Sequence, residues 1–330
     1  MTIISSTIIM PNRALHVAAA LMVLAVVSLI LLLSIPKGRK TLQAEEPVTV
    51  QFTSGFHLKI SISGARLSQH NDMIPKVIWR IWSHDNIPDL PAMFQGAIQQ
   101  TQQANTDWQQ VIVTDAHACR IIAQMPPAVQ NAYYSLSPEY GPARADLLRY
   151  VIMWLYGGLY LDMKSTAVGS VSDVIRTHDQ LVLSKWGVCM GQHRALERHR
   201  LPYSSRNGEY QQWYLLAAPH HPLIHEVITS VVRNCELYRR KQFPFNEQKT
   251  GKDGVLELTG PTAFTIAIDK AIPRLWPHVI FRIATSDLAG ILKYTYAHGD
   301  HTKASVLGSQ THYSRLKTPI VLNISDPDTR

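Results

Sequence analysis

Cysteine is scarce in this chain. Three occur in 330 residues, Cys119, Cys189 and Cys235. None stands in a CxxC pair, which excludes a zinc ribbon or a thioredoxin-like site. An odd, small number gives no disulfide framework, and buried free thiols are the expectation; a single bridge stays open for a domain facing an oxidising lumen. Acids are also scarce: 24 Asp and Glu against 32 Lys and Arg leave a formal charge of +8. That balance favours anionic partners such as phosphates, nucleotides or acidic membrane surfaces. The basic residues form no stripe interleaved with aromatics, so nucleic acid is not the expected partner. No nucleophile elbow and no HExxH helix occurs, which leaves a hydrolase reading without support. There is no internal repeat and no low-complexity tract.

One long apolar run is present. From Ala14 to Ile35 only His16, Ser28 and Ser34 interrupt it. As a helix the run spans about 33 Å, close to the hydrocarbon thickness of a bilayer. It ends in Ile35-Pro36-Lys37-Gly38-Arg39-Lys40, without a small-x-small cleavage site, and reads as an uncleaved anchor. Arg13 precedes the run, and Lys37, Arg39 and Lys40 follow it. The positive-inside rule then puts the C-terminal side in the cytoplasm. The expected organisation is a short tail over 1–13, a transmembrane anchor over 14–35, a polar stem over 36–73 and a globular domain over 74–330. Within the stem, Val48 to Phe52 and Leu58 to Ile62 alternate like short strands.

The globular part alternates strands and helices. Lys76 to Trp82 is β-branched and aromatic and predicts a buried strand. A helix is expected from Ala92 to about Ala104, a strand from Trp108 to Val113, and helices near 115–124 and 126–135. Pro142 suits the first turn of a helix reaching Tyr156, with Gly157-Gly158 as a left-handed cap. Leu159-Tyr160-Leu161-Asp162 then reads as a short strand. This order argues for an α/β sheet with its ligand site at the strand C-terminal ends.

Chemistry concentrates in two adjacent stretches. In Arg144-Ala145-Asp146-Leu147-Leu148-Arg149-Tyr150, Asp146 and Arg149 are three apart and share a helix face. Leu148, Ile152 and Leu155 mark another face, apolar and expected on the sheet. In Tyr156-Gly157-Gly158-Leu159-Tyr160-Leu161-Asp162-Met163-Lys164, an acid ends a strand. Such an acid can hold a divalent cation with diphosphate oxygens, and an arginine fork can grip phosphate or sugar hydroxyls. An ordinary i,i+3 ion pair on a solvated helix competes with that reading for Arg144, Asp146 and Arg149 taken alone.

The opening Ile74-Pro75-Lys76-Val77-Ile78-Trp79-Arg80-Ile81-Trp82, the RADLLRY helix and YGGLYLD together resemble the Och1-like glycosyltransferases with a DxD sugar-binding region, glycosyltransferase family 32. Ala217-Ala218-Pro219-His220-His221-Pro222, Leu258-Thr259-Gly260-Pro261-Thr262 and Gln310-Thr311-His312-Tyr313 are similar to later segments of that family. The resemblance runs over about residues 74–315. It implies a GT-A fold and retaining transfer of a hexose from a UDP- or GDP-sugar to a glycan or glycolipid acceptor. It further implies that Trp82 stacks on the base and that Asp146 and Arg149 bind the donor sugar, with Arg144 beside them. Tyr160 would support the nucleotide or diphosphate, and Asp162 would be the first DxD carboxylate. His312 would reach the diphosphate or join Asp162 on a Mn2+ or Mg2+ ion. Catalysis is assigned to Asp162, Asp146 and Arg149.

Two departures stand out. Trp79 replaces a family histidine, and Lys164 replaces the second Asp of DxD. Either the metal stays on Asp162, or the Lys164 ammonium neutralises phosphate itself. An inactive relative that only binds nucleotide sugar or glycan is the alternative function. The resemblance also implies a Golgi membrane protein with a lumenal domain, against the charge order around the anchor; a cytoplasm-facing domain is the second expectation. His220-His221-Pro222 reads as a helix start.

Overall fold

The computed structural model describes residues 48–51, 57–60, 73–83, 87, 90–186, 208–242, 249–294 and 312–323. The chain divides into two compact units, Met1–Thr41 and Leu42–Arg330, and all described residues belong to the second. The anchor expected over 14–35 lies outside them. Among the described residues no helix is long and apolar enough to cross a membrane.

Two short strands, β1 (Val48–Gln51) and β2 (His57–Ile60), pair antiparallel with Val48 opposite Ile60. They fall in the stretch read as a stem, where the alternation placed them. The main sheet begins with β3 (Val77–Ile81), buried along most of its length. α1 (Ala92–Ala104) follows, then β4 (Gln109–Val113). α2 (Asp115–Ile122) starts with a capping box between Thr114 and His117. α3 (Pro127–Ser135) and α4 (Gly141–Tyr156) both carry proline in the first turn, where its missing N–H costs nothing. β5 (Gly158–Leu161), β6 (Ser165–Ala167), β7 (Leu181–Ser184) and β8 (Tyr214–Ala217) come next. α5 (Pro222–Arg239), α6 (Gly251–Leu258), α7 (Pro261–Leu275), β9 (Arg282–Ala284) and β10 (Leu292–Tyr294) follow.

The main sheet runs β4-β3-β5-β8-β7-β9. β3 is parallel to β4 and β5, β8 is antiparallel to both β5 and β7, and β9 is parallel to β7. The fold is thus α/β with a central mixed sheet flanked by helices. β4, β3, β5, β7 and β9 end on one edge, and β8 begins there. Trp82, Asp162, Trp186 and Trp213 therefore share that edge. A small antiparallel ladder, β6 with β10, sets Tyr294 opposite Ser165 just beyond Asp162.

α4 departs from the expected half-buried helix. Every residue from Asp146 to Met153 is buried, because α4 meets the sheet on one side and α5 on the other. Each large apolar side chain so buried contributes about 1.5–3 kcal/mol. The helix also ends differently from a left-handed cap. Gly157 has φ 63 and ψ −162, so its φ is positive but its ψ is extended. Gly158 follows at φ 98. A Cβ on Gly157 would sit 2.7 Å from Pro219 N, and one on Gly158 would sit 2.5 Å from Val77 O. Glycine is thus demanded at both positions by backbone angle and by contact. Trp79, standing where the family histidine was expected, donates its indole N–H to Gly157 O at 2.7 Å and stacks on Tyr156. It pins the corner between α4 and β5.

The cysteines part from expectation at one position. Cys235 is a buried free thiol, but Cys119 is exposed on α2; Cys189 lies outside the described residues.

Candidate functional site

Asp162 leaves the end of β5 in a turn closed by Ser165 N–H donating to Asp162 O at 2.9 Å. Arg80, fully buried on β3, holds the turn from below. Its Nη1 donates to the carbonyls of Asp162 and Ser165, both at 2.9 Å, and its Nη2 donates to Thr101 Oγ1 at 3.0 Å. Burial lowers the Arg80 pKa to about 10, against the pull of Tyr160 and Asp162. With Gln110 Oε1, 3.5 Å from Nε, four acceptors take a buried cation whose job is to shape the loop carrying the acid.

The Asp162 carboxylate is then fixed from two sides. Arg149 Nη1 lies 3.0 Å from its Oδ1, and the Tyr160 hydroxyl donates to the same oxygen at 2.9 Å. The Arg149 guanidinium also lies over the Tyr160 ring, 4.7 Å from its centre, a favourable face for a cation. Asp162 keeps 26% of its side chain exposed, whereas Arg149 keeps 7%. Burial raises Tyr160 well above the ordinary tyrosine value, so it stays a donor. For Arg149, burial pulls downward, but Tyr160, Asp162 and Asp146 outweigh it and the pKa rises.

Asp146 joins this network from behind. Its Oδ1 receives Gln212 Nε2 at 2.9 Å and Arg149 Nη2 at 3.1 Å; its Oδ2 receives the Thr259 hydroxyl at 2.8 Å. Gln212 also meets Tyr150 Oη at 2.6 Å, and its carbonyl receives Arg149 Nη1 at 3.1 Å. Burial raises the Asp146 pKa, opposed by Arg149, Gln212 and Thr259. The pair is therefore no solvated i,i+3 bridge. Both Asp146 oxygens already accept hydrogen bonds within the protein, and the residue is 5% exposed. Asp146 orients Arg149, and Arg149 orients Asp162.

The other expected residues divide. Trp82 stands at the end of β3, partly buried, edge-on to Phe94 at 5.4 Å, with its backbone N–H donated to Val113 O. Lys164 is half-buried in the turn after Asp162. Arg144 is not drawn into the network. Its Nε donates to Leu136 O at 2.8 Å and its guanidinium covers Tyr133. His312 caps the turn Tyr313–Arg315, where its Nδ1 faces Ser314. Its pKa is lowered by partial burial and then by the charges of Lys164, Arg315 and Lys252. His312 is thus surrounded by the cations Lys164, Arg315 and Lys252. Among the described residues no group of three His, Cys, Asp or Glu side chains could hold a metal ion. Among the described residues, the donor set around Asp162 suits a cation that arrives with a diphosphate. It does not suit a cation held by the protein alone.

Sequence reasoning missed Arg80, Gln212, Lys252 and Arg315. A charged residue inside the apolar run Val77 to Ile81 was the available signal for Arg80, since a lone arginine on a buried strand needs a polar task. The others sit in segments whose placement depends on the fold. His221 behaves as expected: it is the N-cap of α5, and its side chain accepts from Leu223 N at 3.2 Å.

Residues 91–182, from α1 to β7, match the family described as glycosyltransferase sugar-binding region containing DXD motif. The chain is 24% identical over 201 residues to an initiation-specific alpha-1,6-mannosyltransferase of Candida albicans, covering 58% of this chain and 51% of that protein. It is 33% identical over 96 residues to inositol phosphoceramide mannosyltransferase 3 of Schizosaccharomyces pombe, covering 29% and 26%. The chain spans about half the length of the first of these relatives and less of the second. Among solved structures, PaToxG glycosyltransferase is similar at TM-score 0.43 and 15% identity, over 62% of this chain and 72% of that one. Divalent-cation dependence is typical of the DXD family. The network around Asp162 lies largely inside the matched region, and that match, together with the mannosyltransferase relatives, supports the resemblance to the DXD-motif glycosyltransferases of family 32.

Proposed function

We propose that the chain is a retaining glycosyltransferase of the GT-A type, which moves a hexose from a nucleotide sugar to a glycan or glycolipid and forms an α-linkage. The observation that carries this reading is the fixed carboxylate of Asp162. It stands at the C-terminal end of a central strand, one oxygen held by Arg149 and Tyr160, where open α/β sheets take ligands. Its other oxygen is left for the donor. Trp82, one strand away, offers a ring to the base.

As the bond between the anomeric carbon and the diphosphate breaks, negative charge grows on the diphosphate. Lys164, Lys252 and Arg315, gathered around His312, supply positive charge on that side. Such fixed charges act most strongly where charge develops in the transition state. A divalent cation, Mn2+ or Mg2+, would add Lewis-acid stabilisation beside Asp162. Lys164 in place of a second carboxylate supports a weaker need for it. The same substitution favours a second reading, an inactive relative that binds nucleotide sugar without turnover. The run over 14–35 is proposed as the membrane anchor, with residues 74–330 as the transferase domain, at the Golgi membrane.

The test is a donor screen on the full chain with UDP- and GDP-linked mannose, galactose, glucose and N-acetylglucosamine, with and without manganese. Hydrolysis or transfer of one donor supports the enzyme. Nucleotide-sugar binding without turnover on any acceptor supports the inactive relative. No binding of any donor sinks both.

A further inference from the structure

Three aromatic rings stand on the other side of Asp162 from Trp82 and take no part in the donor network. Trp186, Trp213 and Tyr294 form a triangle, with ring centres 6.4 Å apart for Trp186–Trp213, 5.2 Å for Trp213–Tyr294 and 6.1 Å for Trp186–Tyr294. Trp213 is buried at 4% exposure, while Trp186 and Tyr294 are half-buried. Each ring is tied by backbone to the same edge. Trp213 O accepts from Asp162 N at 2.9 Å. Tyr294 is paired with Ser165, three residues past Asp162. Trp186 N donates to Glu209 O at 3.0 Å, beside the stretch that leads to Gln212 and Trp213.

The sheet order sets the two halves apart. β3 with Trp82 flanks β5 on one side, and β8 and β7 with Trp213 and Trp186 flank it on the other. A nucleotide reaching from Trp82 to Asp162 leaves the aromatic side for the second substrate. A pyranose presents an apolar C–H face and a rim of hydroxyls. Large rigid rings with few torsions suit that face at low entropic cost, and concave sites pair such rings with a few polar groups. The buried indole N–H of Trp213 has no acceptor among the described residues.

We propose that Trp186 and Tyr294, with Trp213 as the floor beneath them, form the platform for the pyranose ring of the acceptor. The proposal rests on the glycosyltransferase reading for the word acceptor, but the binding of a sugar ring can be measured without turnover. The shared chemistry is a hexopyranose, whether it belongs to a free glycan or to a glycolipid headgroup.

The experiment is saturation-transfer NMR on the full chain in a sugar-free detergent, with methyl α-mannoside, methyl β-galactoside, methyl β-glucoside and dodecyl α-mannoside as probes. At least one methyl glycoside is expected to receive saturation. Its affinity should fall at least tenfold in Trp186→Ala and in Tyr294→Leu, and stay within threefold in Trp186→Phe. Affinity for UDP and GDP, measured by calorimetry, should stay within twofold in every variant, which reports on the donor half and on folding. Equal saturation in the wild type and in Tyr294→Leu overturns the platform, as does the absence of saturation from all three methyl glycosides. Binding of dodecyl mannoside alone, unchanged by Trp186→Ala, overturns it too, because the alkyl tail is then what binds. Failure of UDP and GDP to bind, with methyl-glycoside binding still sensitive to Trp186, removes the donor reading and leaves the platform standing.

Discussion

Arg149 joins two carboxylates that differ in fate: Nη2 sits 3.1 Å from the fully enclosed Asp146, and Nη1 sits 3.0 Å from Asp162, whose side chain keeps a path to solvent. That asymmetry separates stability from activity. Arg149→Ala leaves the Asp146 charge buried without its cation, a change expected to cost about 3–5 kcal/mol. Asp162→Asn keeps shape and exposure, and is expected to change stability by less than about 1 kcal/mol while lowering transfer at least a hundredfold, a loss of about 2.7 kcal/mol in transition-state stabilisation. Urea denaturation and donor turnover, measured on both variants, check this. Near-normal turnover by Asp162→Asn would refute the donor-site assignment.

Arg80 holds the loop of Asp162 by its backbone carbonyl and not by its carboxylate. Arg80→Met fills similar volume but leaves the carbonyls of Asp162 and Ser165 without their donor. Each stranded buried acceptor costs about 1–3 kcal/mol. We expect a clear fall in thermal midpoint and a loss of at least tenfold in kcat. A variant with normal kcat would mean that the turn holds its shape by the Ser165 N–H bond alone.

Lys164 sets the response to metal. Replacing it by Asp adds a carboxylate two residues from Asp162 and removes one cation from the group around His312. Manganese titration of turnover should then show half-activation at a concentration at least tenfold lower than in the wild type. An unchanged titration curve would show that Lys164 does not stand in for the cation.

His221 gives the fold an acid limit. Its Nδ1 accepts from Leu223 N, so the proton resides on Nε2, which donates to Ile280 O at 3.1 Å. Burial pushes its pKa down from 6.5 to about 4. Between those values the unfolded chain binds a proton that the folded chain refuses, so stability falls as pH drops from about 6.5 to about 4. The loss from this one group is at most about 3.4 kcal/mol. His221→Asn can cap the helix and does not titrate, and should flatten the slope of stability against pH in that window. An unchanged slope would assign the acid sensitivity elsewhere.

Local patterns placed the elements well, because their causes are local. The alternation and β-branching of Val77 to Ile81, the prolines at helix starts and the paired glycines each act within a few residues. The site was legible where it lay on one such element, as with Asp146, Arg149, Tyr160 and Asp162. The family resemblance supplied their roles; the packing adds that Asp146 is bound to Arg149 within the protein. What could not be read were partners brought from afar. Gln212 reaches Asp146 across 66 positions and Thr259 across 113. Nor does spacing show that α4 is buried on nearly every side, since that follows from α5 lying against it.

The corner at Gly157-Gly158 works as a ruler. No side chain fits there, and Trp79 nails it to the neighbouring strand. The path from Arg149 to Asp162 therefore has a set length. Adding one residue within β5 would turn Asp162 to the opposite face of the sheet and away from the guanidinium. Substitutions along this path can be absorbed one at a time, but insertions and deletions cannot. A distant relative of this chain should thus be recognised by the count of residues between helix arginine and strand acid, even where the letters between them have changed.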